Sequence, residues 1–562
     1  ESEIDEMATI DVERAHSLAE RRALELAQQF VAQLAAREGL TATWRGNRCD
    51  LRGTSLKGEL AVDARHVRVQ IDLGLPMRPF AGFVRKLVNE GLDGLAEAAR
   101  AASPVDGVTP DEKSAAVAVT LPTPIGTPAP TPRSAATVAL AWGAPSPLPA
   151  LLEQFVPGRS LPQGLYLRED VFQAEMEHLH GPGWHFVDHA SRLPRPGDWI
   201  THQIGAASLV VVRGDDDTVR AFHNVCPHRG SMVCLGEQGH STRLVCPYHA
   251  WSFDLHGRLQ HARAMDDEFS AAAHGLRPLQ VRVIANMVYV SLSATPKDIE
   301  RPALLLGQLY ALHGLDRARV AHREVYRVAA NWKLVSENFL ECYHCTPTHP
   351  EYCSVNAHAQ GNSSGKAESL QAYQEFARAW ASTLVTAPDL TGPHDFSLPH
   401  EQEVVVYRQP IRQGFRTLSR DGAPVAPLMG GFLQYDGGES VVAFGATHFV
   451  SAANDHATVF RFTPVNAGST EVVVTWLVDQ RAEPGRDYKP EEVAWMWRVT
   501  TEQDKRLAED NHRGVTSPAY RPGPYSLVEG PLRRFTARYV DELQRGLARD
   551  PASSAKAATR PA

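Results

Sequence analysis

Two cysteines and two histidines stand in two short pairs, Cys226-x-His228 and, after an interval of 17 residues, Cys246-x-x-His249, within NVCPHRGSMVCLGEQGHSTRLVCPYHAWSF. Each pair brings one thiolate and one imidazole, so two loops deliver four ligands. That set suits a [2Fe–2S] cluster in which two thiolates hold one iron and two imidazoles the other. Neutral imidazole removes negative charge and raises the potential to about −150 to +300 mV, against about −400 mV for an all-cysteine plant-type cluster. A structural zinc site also takes two Cys and two His, but it prefers C-x-x-C and H-x₃₋₅-H pairs, so iron–sulfur is the better reading. Gly230 permits a tight loop, and Trp251 and Phe253 are candidates to shield the cluster. Cys234, between the pairs, reads as a bystander.

A second constellation lies in NWKLVSENFLECYHCTPTHPEY, with His344 and His349 five residues apart. The run from Asn331 to about Tyr343 predicts a helix that Pro347 breaks, placing His344 at its end and His349 just beyond. Two imidazoles and one carboxylate on one face of Fe(II) leave positions open for O₂ and substrate. The carboxylate must come from elsewhere. Asp504 in TEQDKRLAEDN is the best candidate, with Glu502, Glu509 and Asp510 as rivals on the same predicted helix. Spacing alone favours a solvated surface role for Asp504. Glu341 precedes His344 by three residues, shares its helix face on this reading, and is placed to orient the imidazole. Cys342 and Cys345 read as packing residues.

These loops must be held by ordered elements. The chain has 562 residues, 43% hydrophobic, enough for several domains. Residues 1–100 read as a small α+β domain, with a helix over 23–34, strand-like LTATW (40–44), GELAV (58–62) and VRVQIDL (67–73), a turn at Gly46-Asn47, and a second helix over 80–92. Residues 101–150 are a linker whose PTPIGTPAPTP stretch can form neither a helix nor a central strand. Residues 151–184 open a catalytic domain, 185–296 hold the cluster motif among short strands (SLVVVRG, TVRAFHNV, VYVSL), 297–548 hold the second motif, and 549–562 are a disordered tail. The last large domain mixes predicted strands (GGFLQYDG, TEVVVTWLV) with a helix over EEVAWMWRVTTEQDKRLAEDN.

A net charge of −8 speaks against nucleic-acid binding. No run approaches the roughly 18 apolar residues of a membrane span, and no secretory leader opens the chain. Seven cysteines, an odd number, fit a reduced cytoplasmic protein, and Met7 is the expected natural start.

Residues from about 155 to 548 resemble the α subunits of Rieske non-haem iron oxygenases, in particular the glycine betaine monooxygenase group. The stretches that carry the resemblance are PGRSLPQGLYLREDVFQAEMEHLHGPGW, AFHNVCPHRGS, LVCPYHAWSFDLHGRL, NWKLVSENFLECYHCTPTHPE and EQDKRLAEDNHRGVTSPAYRPGPYSLVEGPLRRF. The resemblance implies an antiparallel β Rieske domain inserted in a helix-grip-type catalytic domain. It assigns Cys226, His228, Cys246 and His249 to the cluster, and His344, His349 and Asp504 to mononuclear iron. It places Glu341 as the acidic bridge between a cluster histidine and an iron histidine, across subunits of a homotrimer. It further implies a partner reductase drawing electrons from NAD(P)H, O₂ as co-substrate, and N-demethylation of a small quaternary ammonium compound. The alternatives are an aromatic-ring hydroxylating oxygenase and an electron-transfer protein using the cluster alone. A quaternary ammonium is best held by aromatic faces, for which Trp476, Trp495, Trp497 and Tyr435 are the candidates. Residues 1–100 resemble the polyhydroxyalkanoic acid system family, which implies an accessory role. The oxygenase group does not normally carry such an N-terminal unit.

Overall fold

A computed structural model describes residues 8–15, 23–25, 27–28, 31, 41–53, 56–63, 65–73, 146–358, 367–384 and 404–549. The chain divides into two units, Glu1–Pro145 and Ser146–Ala562.

The first unit is a five-stranded antiparallel sheet of β1 (Ala8–Ala15), β2 (Thr41–Arg45), β3 (Arg48–Gly53), β4 (Leu56–Val62) and β5 (His66–Leu73), in the order β1-β5-β4-β3-β2. Strands β1 and β3 add to the three expected. Alternation puts Cys49, Leu51, Leu60, Val62, Val67, Val69 and Ile71 in a core with Ala23, Ala27 and Val31. The spacing of those last three is helical. Gly46, at φ +62°, makes the β2–β3 turn. The helix expected over 80–92 and most of the linker lie outside the described residues.

In the second unit regular structure begins with the helix Leu148–Leu152. The cluster motif sits among three small antiparallel sheets. They are built from β6 (His185–His189), β7 (Asp198–Ile204), β8 (Ala207–Arg213), β9 (Val219–His223), β10 (Gln238–His240), β11 (Leu244–Val245), β12 (Ser252–Phe253), β13 (Leu259–His261), β14 (Gln280–Ile284) and β15 (Met287–Ser291). The valine run of β8 is buried on both faces.

Beyond it lies a six-stranded antiparallel sheet of β16 (Ala318–Val328), β17 (Val404–Pro410), β18 (Gly438–Phe444), β19 (His448–Ala452), β20 (Ala457–Asn466) and β21 (Ser469–Asp479), ordered β16-β21-β20-β19-β18-β17. The helices α1 (Trp332–Phe339), α2 (Cys345–Thr348), α3 (Pro350–Val355) and α4 (Pro490–Val515) carry the second motif and the wall around it. In α4, Pro490 starts the helix, Glu491 and Glu492 lie in its first turn, and His512 and Arg513 lie in its last. Its buried stripe, Val493, Met496, Trp497, Thr500, Thr501 and Ala508, joins the core of the sheet. Among the described residues no helix is long and apolar enough to cross a membrane.

Two local expectations fail. The first motif helix stops at Phe339, not Tyr343. Past Leu340 the Glu341 carboxylate accepts the backbone N–H groups of Tyr343 and His344, which replaces helical bonding. Pro347 then lies inside the four-residue α2 instead of ending a helix. GGFLQYDG is a looped segment, not a strand. Gly430 and Gly437 take φ of +63° and +65°. A Cβ on Gly430 would collide with the Leu312 carbonyl oxygen.

Candidate metal centres and substrate cavity

The two cluster loops are built alike. In the first, the Cys226 N–H donates to Ser231 O (2.8 Å) and the Gly230 N–H donates back to Cys226 O (2.9 Å). In the second, the Cys246 N–H donates to Trp251 O (2.8 Å) and the Ala250 N–H to Cys246 O (3.0 Å). The residue four past each cysteine, Gly230 or Ala250, is left-handed at φ +77° and +61°. Each turn thus holds its own thiol and imidazole on one side. The loops bring His228 and His249 to a ring separation of 4.6 Å, with both cysteines buried and free. Burial pushes the Cys226 thiol up. Trp251 stacks on His228 at 4.7 Å and 9°, whereas Phe253 is wholly buried in the domain core. Asn224 clamps the intervening loop by accepting the Cys234 N–H (2.8 Å) and donating to its carbonyl (2.7 Å).

The donor set fits the cluster. His249 Nδ1 is buried without a hydrogen-bond partner among the described residues. Such an atom is rare in a folded protein unless something binds it.

In the second centre, His344, His349 and Asp504 place their ligand atoms within 4.8 Å of one another. Asp504 Oδ1 lies 2.8 Å from His349 Nε2 and 3.3 Å from His344 Nε2. The remaining ring nitrogens set the tautomers. His344 Nδ1 donates to Glu341 Oε1 (2.6 Å) and His349 Nδ1 donates to Gln503 Oε1 (2.8 Å). Gln503 Nε2 in turn donates to Glu351 (3.0 Å), which fixes the amide's orientation. With Nδ1 the donor on each ring, a divalent cation displacing the Nε2 protons would meet two lone pairs and a carboxylate, the set it requires. Burial opposes a charge on His344, but Asp504 and Glu341 outweigh it and hold its pKa up to about 10. A bound cation would take that proton's place. The rivals are engaged elsewhere or exposed: Glu509 pairs with Lys505, Asp510 with Arg513, and Glu502 faces solvent.

Beside this centre is a cavity of about 110 Å³. Its walls include Phe339, Tyr352, Tyr407, Phe449, Trp497 and Glu439. Of the four aromatic candidates only Trp497 lines it. Trp476 is sealed in the core, Trp495 stacks under Arg420 (4.5 Å), and Tyr435 lies under Arg416 (5.6 Å) with its hydroxyl donating to Ala426 O (3.0 Å). Glu439 was not foreseen. It is 1% exposed and accepts hydrogen bonds from Ser451 Oγ (2.5 Å), Gln409 Nε2 (2.8 Å) and Asn356 Nδ2 (2.8 Å). Burial raises its pKa against those three donors.

Three family models match the chain. Residues 183–282 match the Rieske [2Fe-2S] domain, 315–545 the catalytic domain of the ring hydroxylating alpha subunit, and 10–95 a putative polyhydroxyalkanoic acid system protein. The glycine betaine monooxygenase oxygenase subunit of Chromohalobacter salexigens is 36% identical over 378 residues, which cover 67% of this chain and 84% of the relative. The chain belongs to the Rieske oxygenase α-subunit family. The corresponding subunit of Pseudomonas aeruginosa is 33% identical over 402 residues, 71% of this chain and 92% of the relative. A solved quaternary ammonium Rieske monooxygenase bound to L-carnitine shares the fold, with a TM-score of 0.51, 22% identity, and coverage of 70% of this chain and 98% of that one. Membership makes this Rieske oxygenase α subunit an enzyme that requires a [2Fe–2S] cluster and a mononuclear iron.

Proposed function

We propose that the protein is the oxygenase component of a monooxygenase that N-demethylates a compact quaternary ammonium compound, of which glycine betaine is the model. The observation that carries this reading is the junction of the histidine–carboxylate centre with a small aromatic cavity holding a buried carboxylate. Aromatic faces and a carboxylate suit a cation that has no proton to donate. The naming of the relatives as glycine betaine monooxygenase oxygenase subunits supports the same substrate class and a separate reductase fed by NAD(P)H.

Cys226, His228, Cys246 and His249 hold the cluster, and His344, His349 and Asp504 hold the iron. When bound, the cluster supplies electrons one at a time and the iron activates O₂. The chain's own residues do the rest. Glu341 and Gln503 hold the proton on each Nδ1, so both Nε2 lone pairs stay available for metal. The aromatic walls exclude water and present an N-methyl group toward the triad. One oxygen atom enters a methyl C–H bond, the second leaves as water with two electrons and two protons, and the N-hydroxymethyl product loses its hydroxyl proton and breaks its C–N bond to give formaldehyde and the tertiary amine.

The active form is a homotrimer in which one copy's cluster faces another copy's Glu341. His228 is exposed, and apolar side chains around the cluster loops (Met232, Leu235, Val245 and Tyr248) are exposed with it. A rim of that kind is the expected signature of a covered face.

The test is NADH- and O₂-dependent formaldehyde release from glycine betaine, carnitine and stachydrine with a generic reductase, alongside benzoate. Formaldehyde with about three irons per chain supports the proposal. Turnover of the arene alone assigns a ring hydroxylase, and about two irons per chain without turnover assigns an electron carrier.

A further inference from the structure

The cavity holds a carboxylate whose hydrogen-bond donors among the described residues are all neutral. Glu439 sits on β18 opposite Gln409 of β17. Its two oxygens are met by three neutral donors, Ser451, Gln409 and Asn356, and Trp497 Nε1 donates to Ser451 Oγ (3.1 Å) behind them. No lysine or arginine among the described residues pairs with it, and none lines the cavity. Two other buried carboxylates pair with cations: Glu175 is met by Lys333 at 2.5 Å, and Asp188 by Arg192 and Arg323. A wholly buried carboxylate without such a partner is costly, and neutral donors offset only part of that cost. Tyr352, Tyr407 and Trp497 line the same space. The missing partner is therefore a cation that enters from outside and is too weakly hydrated to need donors of its own.

We propose that Glu439 is the counter-ion of the substrate's quaternary ammonium, the residue that makes the cavity prefer a cation to a neutral molecule of the same shape. The assignment deepens the function proposed above and rests on it. Ser451, Gln409 and Asn356 are positioning residues: they aim the carboxylate and favour its charged form. Attraction to the ammonium holds the methyl-bearing nitrogen in the cavity that opens on the iron triad, which is where the oxidised carbon has to be.

The test uses a carbon isostere. In 3,3-dimethylbutanoate a quaternary carbon replaces the nitrogen of glycine betaine, with shape kept and charge removed. Calorimetry on the holoenzyme measures both ligands against wild type, Glu439→Gln and Glu439→Asp. Wild type is expected to bind glycine betaine about ten-fold or more tightly than the isostere, given a desolvated cation among aromatic faces. Glu439→Gln is expected to bring the two within about three-fold, chiefly by weakening glycine betaine, and Glu439→Asp to restore most of the preference. KM for glycine betaine should rise while the cluster spectrum and iron content stay at wild-type values. An unchanged preference in Glu439→Gln overturns the assignment. Should that variant lose its cluster, Ser451→Ala stands in, and an unaltered preference there overturns it equally. A wild type that demethylates no methylammonium at all sinks the broader reading, whereas one that does, with a preference indifferent to Glu439, sinks only the counter-ion.

Discussion

Each imidazole of the proposed iron centre is held at both ring nitrogens, and the outward contact decides what the inward one can do. His344 depends on Glu341 and His349 on Gln503. Glu341→Gln keeps a hydrogen-bonding group but removes the charge. We expect turnover to fall about 10- to 100-fold, the usual penalty for losing such an outer partner, with iron content and cluster absorbance largely kept. Steady-state formaldehyde release beside metal analysis checks this. A second carboxyl reports on pH. Burial raises Glu337 to about 8, although Tyr166 and Lys333 pull it down. An acid whose folded pKa lies above its unfolded value near 4.5 binds more protons when folded, so its contribution is complete below that value and is lost as pH rises toward 8. Glu337→Gln should therefore gain Tm relative to wild type at pH 8.5 compared with pH 5.5, read by thermal melts at both values. The histidines and cysteines were legible because their chemistry is local. A loop of five residues carries its own ligands, and no distant residue is needed to recognise it. Asp504 was only half legible. Its neighbours Trp497, Thr500, Thr501 and Ala508 form the buried stripe of α4, and Asp504 shares their phase. That phase was the available signal against a surface role. Glu439 offered none, since the donors that define it come from a second strand, a third strand and a loop.

At the scale of elements, the cluster loops show what backbone shape demands. Gly230 and Ala250 occupy equivalent left-handed positions. A Cβ on Gly230 would meet nothing within 4 Å, so substitution there is felt only as backbone strain. Gly230→Ala should cost about 1 kcal/mol and Gly230→Val more, because a branched side chain fits that region worse. Melting of the reconstituted protein measures both. The helix that sequence extended to Tyr343 shows the converse. Every residue from Trp332 to His344 tolerates a helix, and what ends it is one carboxylate competing for two backbone N–H groups. Propensity sums do not register a competition of that kind.

On the scale of the whole molecule, the proposed relay crosses between copies. Mixed oligomers separate that from an internal path. Protein carrying His228→Ala cannot launch electrons, and protein carrying Glu341→Gln cannot receive them efficiently. Assembled together after unfolding and reconstitution, the two should recover a clear fraction of activity, since some interfaces pair an intact donor with an intact acceptor. Recovery no greater than the sum of the separate variants would place the relay within one chain. The division at Pro145 leads to a further expectation. Deleting residues 1–145 should leave KM and kcat for the demethylation within about two-fold, because every residue assigned to the chemistry lies beyond that point.

The rod Pro490–Val515 carries both a wall of the reaction chamber, at Trp497 and Thr500, and one claw of the metal grip, at Asp504. Tuning and anchoring therefore share a single shaft. Swapping side chains at 497 or 500 can reshape what the enzyme accepts without disturbing the anchor. Inserting one residue between them and Asp504 would swing the claw by about 100° and empty the grip. Diversification along this stretch is thus confined to exchanges of residue type, and changes of length must fall in the loops at either end.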